Sequence, residues 1–293
     1  MAYRLIYNPV AGGGRAKAIV ESLAPQLATV ENLEVMMTRY RGHARELAAQ
    51  VASRPDQVVI SVGGDGTHHE IANGLLPAGN ATMAVIPAGS GNDFAAGIGI
   101  PADLQAAMAV ALGSHAVRVD VGQVEQEYFL TVVGAGFDAE VAGLINTHPH
   151  GGSGKFVYLQ GILQTLFRYR PQVLKITEGG QVTERPTLLI AAGNTSRYGG
   201  GIKICPEANP HDGTLQVVWV GGLPPLAVLP LLAKAYGGHH VKDPVVHTFQ
   251  SHELLIEGPE ALYVHADGEL IGHLPVTIRA VPHALSIRVP DRP

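Results

Sequence analysis

Apolar positions cluster in short β-branched runs that alternate with amphipathic stretches over the first third of the chain. Tyr3–Tyr7, Leu33–Thr38, Val58–Val62 and Met83–Ile86 read as strands, with few polar residues inside them. Between them lie expected helices at Arg15–Ala28, Gly42–Ser53, His68–Leu76 and Ala102–Leu112. Ile71 and Leu75 fall four residues apart, on one helical face. Strand and helix in alternation predict a doubly wound parallel sheet.

The pattern changes near Val117. From there strands dominate: Val117–Val121, Tyr128–Val133, Val173–Thr177, Thr187–Ala192, Leu215–Val220, Leu254–Glu257, Leu262–His265, Val276–Val281 and Leu285–Val289. Helices are expected only at Phe156–Tyr169 and Pro225–Tyr236. Many strands with few crossover helices imply antiparallel pairing and a second, β-sandwich domain. The boundary is expected between Asp120 and Gln126. His148-Pro149-His150-Gly151-Gly152-Ser153-Gly154 has the composition of a mobile loop.

Three of the strands run into glycine-rich turns. The first ends in Asn8-Pro9-Val10-Ala11-Gly12-Gly13-Gly14 and the third in Gly63-Gly64-Asp65-Gly66-Thr67. The fourth ends in Pro87-Ala88-Gly89-Ser90-Gly91-Asn92-Asp93-Phe94. Glycine lets the backbone approach an anion, and amides at a helix start point at it. Ligands of open α/β sheets bind beyond the carboxyl ends of the strands, so one shared pocket is expected. A tight turn capped by Asp65 is the simpler alternative for the middle turn, and Asp65 also offers a hard oxygen to Mg²⁺. Arg15 and Lys17 supply charge beside the first turn or are merely solvated.

Composition narrows the classes. With 293 residues and 46% hydrophobic content the chain can build a large core, which excludes disorder. A net charge of −5 argues against nucleic acid as a partner. Cys205, the single cysteine, excludes an intrachain disulfide and fits a reducing compartment; it reads as a buried thiol rather than a nucleophile. No basic leader precedes an apolar core at the start, so no signal peptide is expected. No run reaches the roughly 18 apolar residues that cross a bilayer, so no transmembrane segment is expected. The most apolar stretch, Leu223 to Leu232, is short and contains three prolines. Contact with a membrane surface stays open.

These motifs together resemble the diacylglycerol kinase-like lipid kinases, most closely the soluble bacterial members. The likeness rests on the three turns with Glu70 and Asn73-Gly74, and continues through Val119-Asp120-Val121-Gly122, Asp212-Gly213 and Asp267-Gly268-Glu269. It implies an NAD kinase/diacylglycerol kinase-like nucleotide-binding domain over residues 1–122. A β-sandwich lipid-substrate domain would cover 123–283, with the last strand, about 284–290, returning to the first domain. ATP and Mg²⁺ are the implied cofactors. The resemblance assigns phosphate contacts to Gly63, Gly64, Asp65, Gly66 and Thr67. It assigns other nucleotide contacts to Asn8, Thr38 and Ser90; His69, where the family has Asn, can still donate to a phosphate, and Asp93 is a further nucleotide-site candidate. A metal site at Asn209, Asp212 and Thr214 and a catalytic base at Glu269 complete the set, with Asp65 as the second catalytic residue. The chain departs from the family pattern at His68-His69, at Ser90 in place of Thr, and at His211 in place of an acidic residue.

Phosphoryl transfer needs positioned phosphates, charge neutralisation and a group that accepts the alcohol proton. Asp93 alone reads equally as a helix cap and Asp120 as a strand-end residue. Asp267-Gly268 is also a strong hairpin signal, which leaves Glu269 unexplained. None of the 14 histidines shows a metal-binding spacing. The expected activity is ATP- and Mg²⁺-dependent phosphorylation of a lipid alcohol. Alternatives are NAD kinase, which shares the Gly-Gly-Asp-Gly-Thr turn, or a nucleotide- or lipid-binding protein without turnover. The expected location is cytoplasmic with peripheral membrane contact, and a homodimer is left open.

Overall fold

The structure, a computed structural model, describes residues 1–54, 56–79, 81–147 and 154–291. Its contacts divide the chain into two compact units. The first holds Met1–Val119 with His283–Pro293, the second Asp120–Pro282.

The first unit is built on β1 (Ala2–Tyr7), β2 (Leu33–Met37), β3 (Gln57–Gly63) and β4 (Thr82–Pro87), in the order β2-β1-β3-β4 and all parallel. The last strand of the chain, Val276–Arg288, adds to β4 in parallel at Ser286 and Ile287. All seven residues of β3 are buried, as expected for a central strand covered on both faces. Its helices are α1 (Arg15–Leu27), α2 (His43–Ala52), α3 (Asp65–Leu75), α4 (Asp93–Gly97) and α5 (Leu104–Leu112). Leu5, Val58, Ile60, Val62, Ala84 and Ile86 pack with Leu23 and Leu27 of α1 and Met108 and Ala111 of α5. The alternate residues point the other way, and among them Ser61 meets His68 of α3. Two faces with helices on each make the sheet doubly wound. Each large side chain so buried stabilises by about 1.5–3 kcal/mol.

The second unit contains most of β5 (Ala116–Val124), then β6 (Glu127–Phe129), β7 (Val132–Gly136), α6 (Phe137–Thr147) and α7 (Gly154–Leu166). There follow β8 (Gln172–Glu178), β9 (Gln181–Gly193), β10 (Leu215–Gly221), α8 (Pro225–Tyr236), β11 (Val246–Ser251) and β12 (Glu253–Glu257). β13 (Tyr263–Ala266), β14 (Glu269–His273) and β15 (Val276–Arg288) close the chain. The pairs β13–β14, β13–β7, β7–β9, β9–β8, β8–β12 and β12–β15 are antiparallel, and β10 lies between β9 and β11. Side-chain alternation sorts two cores. Val133, Ala135, Ile190, Ala192, Val217 and Trp219 face Leu254, Ile256 and Ile278 inside the sandwich. Val132, Leu189, Ala191, Val218 and Val220 pack under Val141 of α6, Ile162 and Leu166 of α7 and Val228 and Leu231 of α8.

Several elements differ from expectation. α3 begins at Asp65, not His68, so Asp65-Gly66-Thr67 is the helix's first turn rather than a turn before it. The run Tyr128–Val133 is split between β6 and β7, because the amides of Leu130, Thr131 and Val132 are taken by the Asp267 carboxylate instead of a ladder. Val276–Val281 and Leu285–Val289 are one strand, β15, which passes through His283 at a left-handed φ of 50°. α6 was not expected; it follows directly on β7, whose last residue is Gly136. β11 and β14 were also unforeseen; each is a short strand paired on one side only. The expected loop at His148–Gly154 lies outside the described residues, save Gly154, which opens α7.

Candidate active site

In the first unit, the three glycine turns meet at the carboxyl ends of β1, β3 and β4. Gly12, Gly13 and Gly14 are all left-handed, with φ of 62°, 69° and 94°, so the chain doubles back before α1. A Cβ on Gly12 would stand 2.1 Å from the Ala88 carbonyl oxygen. The Gly64 and Gly89 backbones pass so closely that a Cβ on Gly89 would stand 2.5 Å from the Gly64 Cα. Hydrogen bonds tie the same three turns. Ala88 N–H donates to Gly63 O at 2.7 Å, and the Arg15 guanidinium donates to Gly89 O at 3.2 Å. Asn92, itself left-handed, accepts from Gly89 N–H and donates back to Gly89 O.

Five amides at these turns remain unspent. Gly12, Gly13, Gly66, Ser90 and Gly91 donate no backbone hydrogen bond among the described residues. Gly66 stands in the first turn of α3, where orphan amides and the helix dipole both favour an anion. Thr67 folds its side chain back over Gly63, which therefore has no room for a Cβ. Asp65 Oδ1 accepts the Phe94 amide at 3.0 Å and so joins α3 to α4. Asn8 makes an Asx turn to Val10 N–H, Thr38 is buried after β2, Asp93 is buried at the start of α4, and Ser90 is exposed.

The histidines of α3 face inward. His68 is fully buried with Nδ1 2.6 Å from Ser61 Oγ, and burial pushes its pKa down to about 3, so it stays neutral. His69 is buried against Asn73. Glu70 caps α2 by accepting from Gly42 and Ala44 N–H at 2.8 and 3.1 Å. That explains a carboxylate at this position without a ligand.

The remaining candidates lie in the second unit. Asp267 and Gly268, both at positive φ, form the two-residue turn between β13 and β14, and Glu269 is the first residue of β14. Asp267 is not a candidate base: its carboxylate accepts from Leu130, Thr131 and Val132 N–H and from Thr131 Oγ1. Asp120 is fully buried and accepts from Gly213 N–H at 2.7 Å, which fixes the turn of residues 210–214. On that turn Asp212 Oδ1 accepts from Thr214 N–H and Oγ1, while His252 Nδ1 donates to Gly213 O. Asn209 and Asp212 are exposed. Among the described residues no cluster of three His, Cys, Asp or Glu could hold a metal. A cation here would rest on one carboxylate with carbonyl and hydroxyl oxygens, a set that suits a hard, largely hydrated ion. Cys205 is buried, and burial drives its thiol pKa up, so it is no nucleophile.

An apolar cavity of about 50 Å³ lies between α6, α7 and α8, lined by Phe137, Asp138, Val141, Ile162, Val228 and Leu231 among others. A wider groove of about 690 Å³ runs beside it past Glu140, Arg168, Tyr169, Tyr263 and Leu270. Burial raises the Glu140 pKa. Leu163 of α7, Phe167 just beyond it, and Leu226 and Leu229 of α8 are exposed. No described helix is long and apolar enough to cross a membrane. Sequence reading missed Asp138, because it missed α6. An acidic pair, Asp138 and Glu140, directly after Gly136 is the helix-start signal that was available.

Comparison with known proteins adds to this geometry. Residues 2–124 match the family described as diacylglycerol kinase catalytic domain, and residues 131–289 match the YegS C-terminal NAD kinase beta sandwich-like domain. The chain is 31% identical over 296 residues to a diacylglycerol kinase of Mycobacterium tuberculosis, covering 97% of this chain and 93% of that protein. It is 28% identical to the diacylglycerol kinase of Bacillus subtilis, covering 93% and 91%. A crystal structure of a diacylglycerol kinase from Bacillus anthracis superimposes with a TM-score of 0.76 at 26% identity, covering 98% and 96%.

Proposed function

The chain belongs to the diacylglycerol kinase-like lipid kinases, and from that premise we propose that it transfers the γ-phosphoryl group of ATP, with Mg²⁺, to the hydroxyl of diacylglycerol or a closely related lipid alcohol. The observation that carries this reading is the set of five unspent amides gathered at the ends of β1, β3 and β4. Donors left open at strand ends and a helix start, reachable from solvent and gathered in one place, are the arrangement that binds an anion. Gly12, Gly13, Gly66, Ser90 and Gly91 hold the phosphates, Asn8 and Thr38 the rest of the nucleotide, and Asp65 orients the phosphates from the first turn of α3. Mg²⁺, when bound, neutralises charge on the transferring group. Asp65 and the turn of Asp212 are the oxygen donors assigned to cations. Glu269 takes the proton of the lipid hydroxyl, a role typically worth about 10²–10⁴-fold.

The lipid is assigned to the second unit. Its acyl chains are assigned to the region between α6, α7 and α8, and the small apolar cavity there supports this reading. Exposed Phe167 and Leu226, with Arg168 beside the first, rest on the membrane surface, which makes the protein a cytoplasmic visitor of the bilayer. Glutamate at Phe167 or Leu226 should leave the fold intact and lower liposome binding several-fold in a flotation assay. Unfolding instead would assign those positions to the core.

The decisive experiment incubates the pure protein with a total lipid extract, with and without ATP and Mg²⁺, and follows new phosphate esters by mass spectrometry. A phosphorylated diacylglycerol or related lipid alcohol is expected. Phosphorylation of NAD and of no lipid would replace this reading by NAD kinase. Nucleotide binding without any product would replace it by a non-catalytic protein.

A further inference from the structure

The turn that carries Glu269 is held from below by a buried histidine–carboxylate pair. His265 and Asp138 are 0% and 1% exposed, with Nε2 and Oδ2 3.1 Å apart. His265 Nδ1 accepts the Gly268 amide at 3.3 Å, so the ring proton sits on Nε2 and is donated to Asp138. The Tyr198 ring lies nearly parallel to the imidazole at 5.8 Å. Across the ladder, Gly134 is the register partner of His265. A Cβ there would stand 2.0 Å from Asp138 Oδ2 and 2.7 Å from His265 Nε2, so the strand is hollowed to let the pair form.

A buried carboxylate with a single hydrogen-bonded histidine is costly to build and is weak evidence of stability by itself. Asp267 already clamps the same turn with four hydrogen bonds, so the hairpin does not depend on His265 to exist. What the histidine adds is a fixed position for the Gly268 amide, one residue before Glu269. Asp138 sets the tautomer and rotation of the ring that does this, in the way a carboxylate orients the histidine of a catalytic pair. Asp138 also lines the apolar cavity from the first turn of α6.

We propose that Asp138 and His265 are positioning residues that set the placement of the Glu269 carboxylate through the Gly268 amide. This rests on the reading of Glu269 as the base. A displacement of about 1 Å in a reacting group costs on the order of 10²-fold in rate. The pair therefore acts on kcat and leaves the KM for ATP alone.

The test is a double-mutant cycle on kcat with His265→Leu, Glu269→Gln and both together, each checked for native Trp219 fluorescence. Expected are a loss of about 10²-fold for His265→Leu, a loss at least as large for Glu269→Gln, and a double variant no slower than Glu269→Gln. If Glu269→Gln turns over normally, the reading of the base fails. If Glu269→Gln is slow but His265→Leu is normal, the base stands and the positioning proposal is overturned. Independent, multiplying losses also overturn it. Should His265→Leu fail to fold, His265→Asn and His265→Gln replace it. Asn Oδ1 falls where Nδ1 accepts from Gly268, whereas the Gln amide reaches only toward Asp138. Higher kcat in the Asn variant supports the proposal, and equal or higher kcat in the Gln variant refutes it.

Discussion

Each unit carries an acidic glycine turn, and the two are built in opposite ways. At residues 63–67 backbone groups are left over: Gly66 is an unspent donor, and neighbouring turns add Gly12, Gly13, Ser90 and Gly91. At residues 266–269 the groups are consumed. Asp267 N–H donates to Val132 O, Gly268 N–H to His265, and the Asp267 carboxylate takes four donors. The first arrangement can receive something from outside, the second can only hold itself. Similar residue types thus yield a cradle in one place and a mount for one side chain in the other. The hydrogen-bond inventory separates them where the motif does not.

The strongest way to break this comparison is to neutralise the acid of each turn. Asp65→Asn and Glu269→Gln keep size and should keep the fold. Each should lose at least about 10²-fold in lipid kinase activity. The cradle variant should also bind ATP more weakly by equilibrium titration, while the mount variant should bind it as before. If Glu269→Gln weakened ATP and Asp65→Asn did not, the two turns would have to exchange roles.

The strand ends were legible because β-branched runs stop abruptly at glycine, and both the parallel and the sandwich halves followed from the pattern of Val, Ile and Leu. The placement of Asp267 was not. Asp-Gly announced a hairpin, but the cause of the break between β6 and β7 lies 136 residues away in the chain, where Asp267 meets Thr131. Likewise no local pattern pairs Asp138 with His265, whose separation is 127 residues. Glu70, one of the residues that carry the family resemblance, is a helix cap. Local chemistry names a turn; what its polar atoms are spent on is decided by partners distant in sequence.

The mount should be the more fragile of the two in stability. Asp267→Asn replaces one acceptor oxygen by a donor that faces N–H groups. Hydrogen bonds to a charged group are worth about 1.5–3 kcal/mol each, and a net loss of that size is expected. Urea denaturation followed by Trp219 fluorescence measures it. Asp65→Asn should lose less. A loss below about 0.5 kcal/mol for Asp267→Asn would contradict the idea of a self-holding turn.

The cradle should be the more sensitive in shape. In Gly89→Ala the new methyl would stand 2.5 Å from the Gly64 Cα, so the turn after β4 must move away from α3. Separated donors no longer converge on one anion. The KM for ATP is expected to rise about tenfold, equivalent to about 1.4 kcal/mol, with a smaller change in kcat. An unchanged KM would place the phosphates elsewhere than between these two turns.

The smallest effect concerns acid. His68 lies one turn into α3, and burial lowers its pKa from 6.5 to about 3. The unfolded chain binds a proton at His68 below about pH 6.5, and the folded chain does not until about pH 3. Stability from this residue is therefore complete above pH 6.5 and is lost progressively as pH falls from 6.5 toward 3. Between pH 7.5 and 5.5 the loss should be about 1.4 kcal/mol, one logarithmic unit of linkage. Other histidines also titrate, so the measurement is the difference in urea midpoints between the native chain and His68→Leu at the two pH values. Leucine suits the site because His68 Nε2 is buried without a hydrogen-bond partner among the described residues, though Ser61 Oγ gives up its contact. The variant should show a flatter pH dependence of its urea midpoint, and its ATP binding should keep the native pH dependence between 7.5 and 5.5, because folded His68 is neutral at both. Parallel curves would mean that α3 accommodates a charged His68, and the cradle's first turn would then be softer than its burial implies.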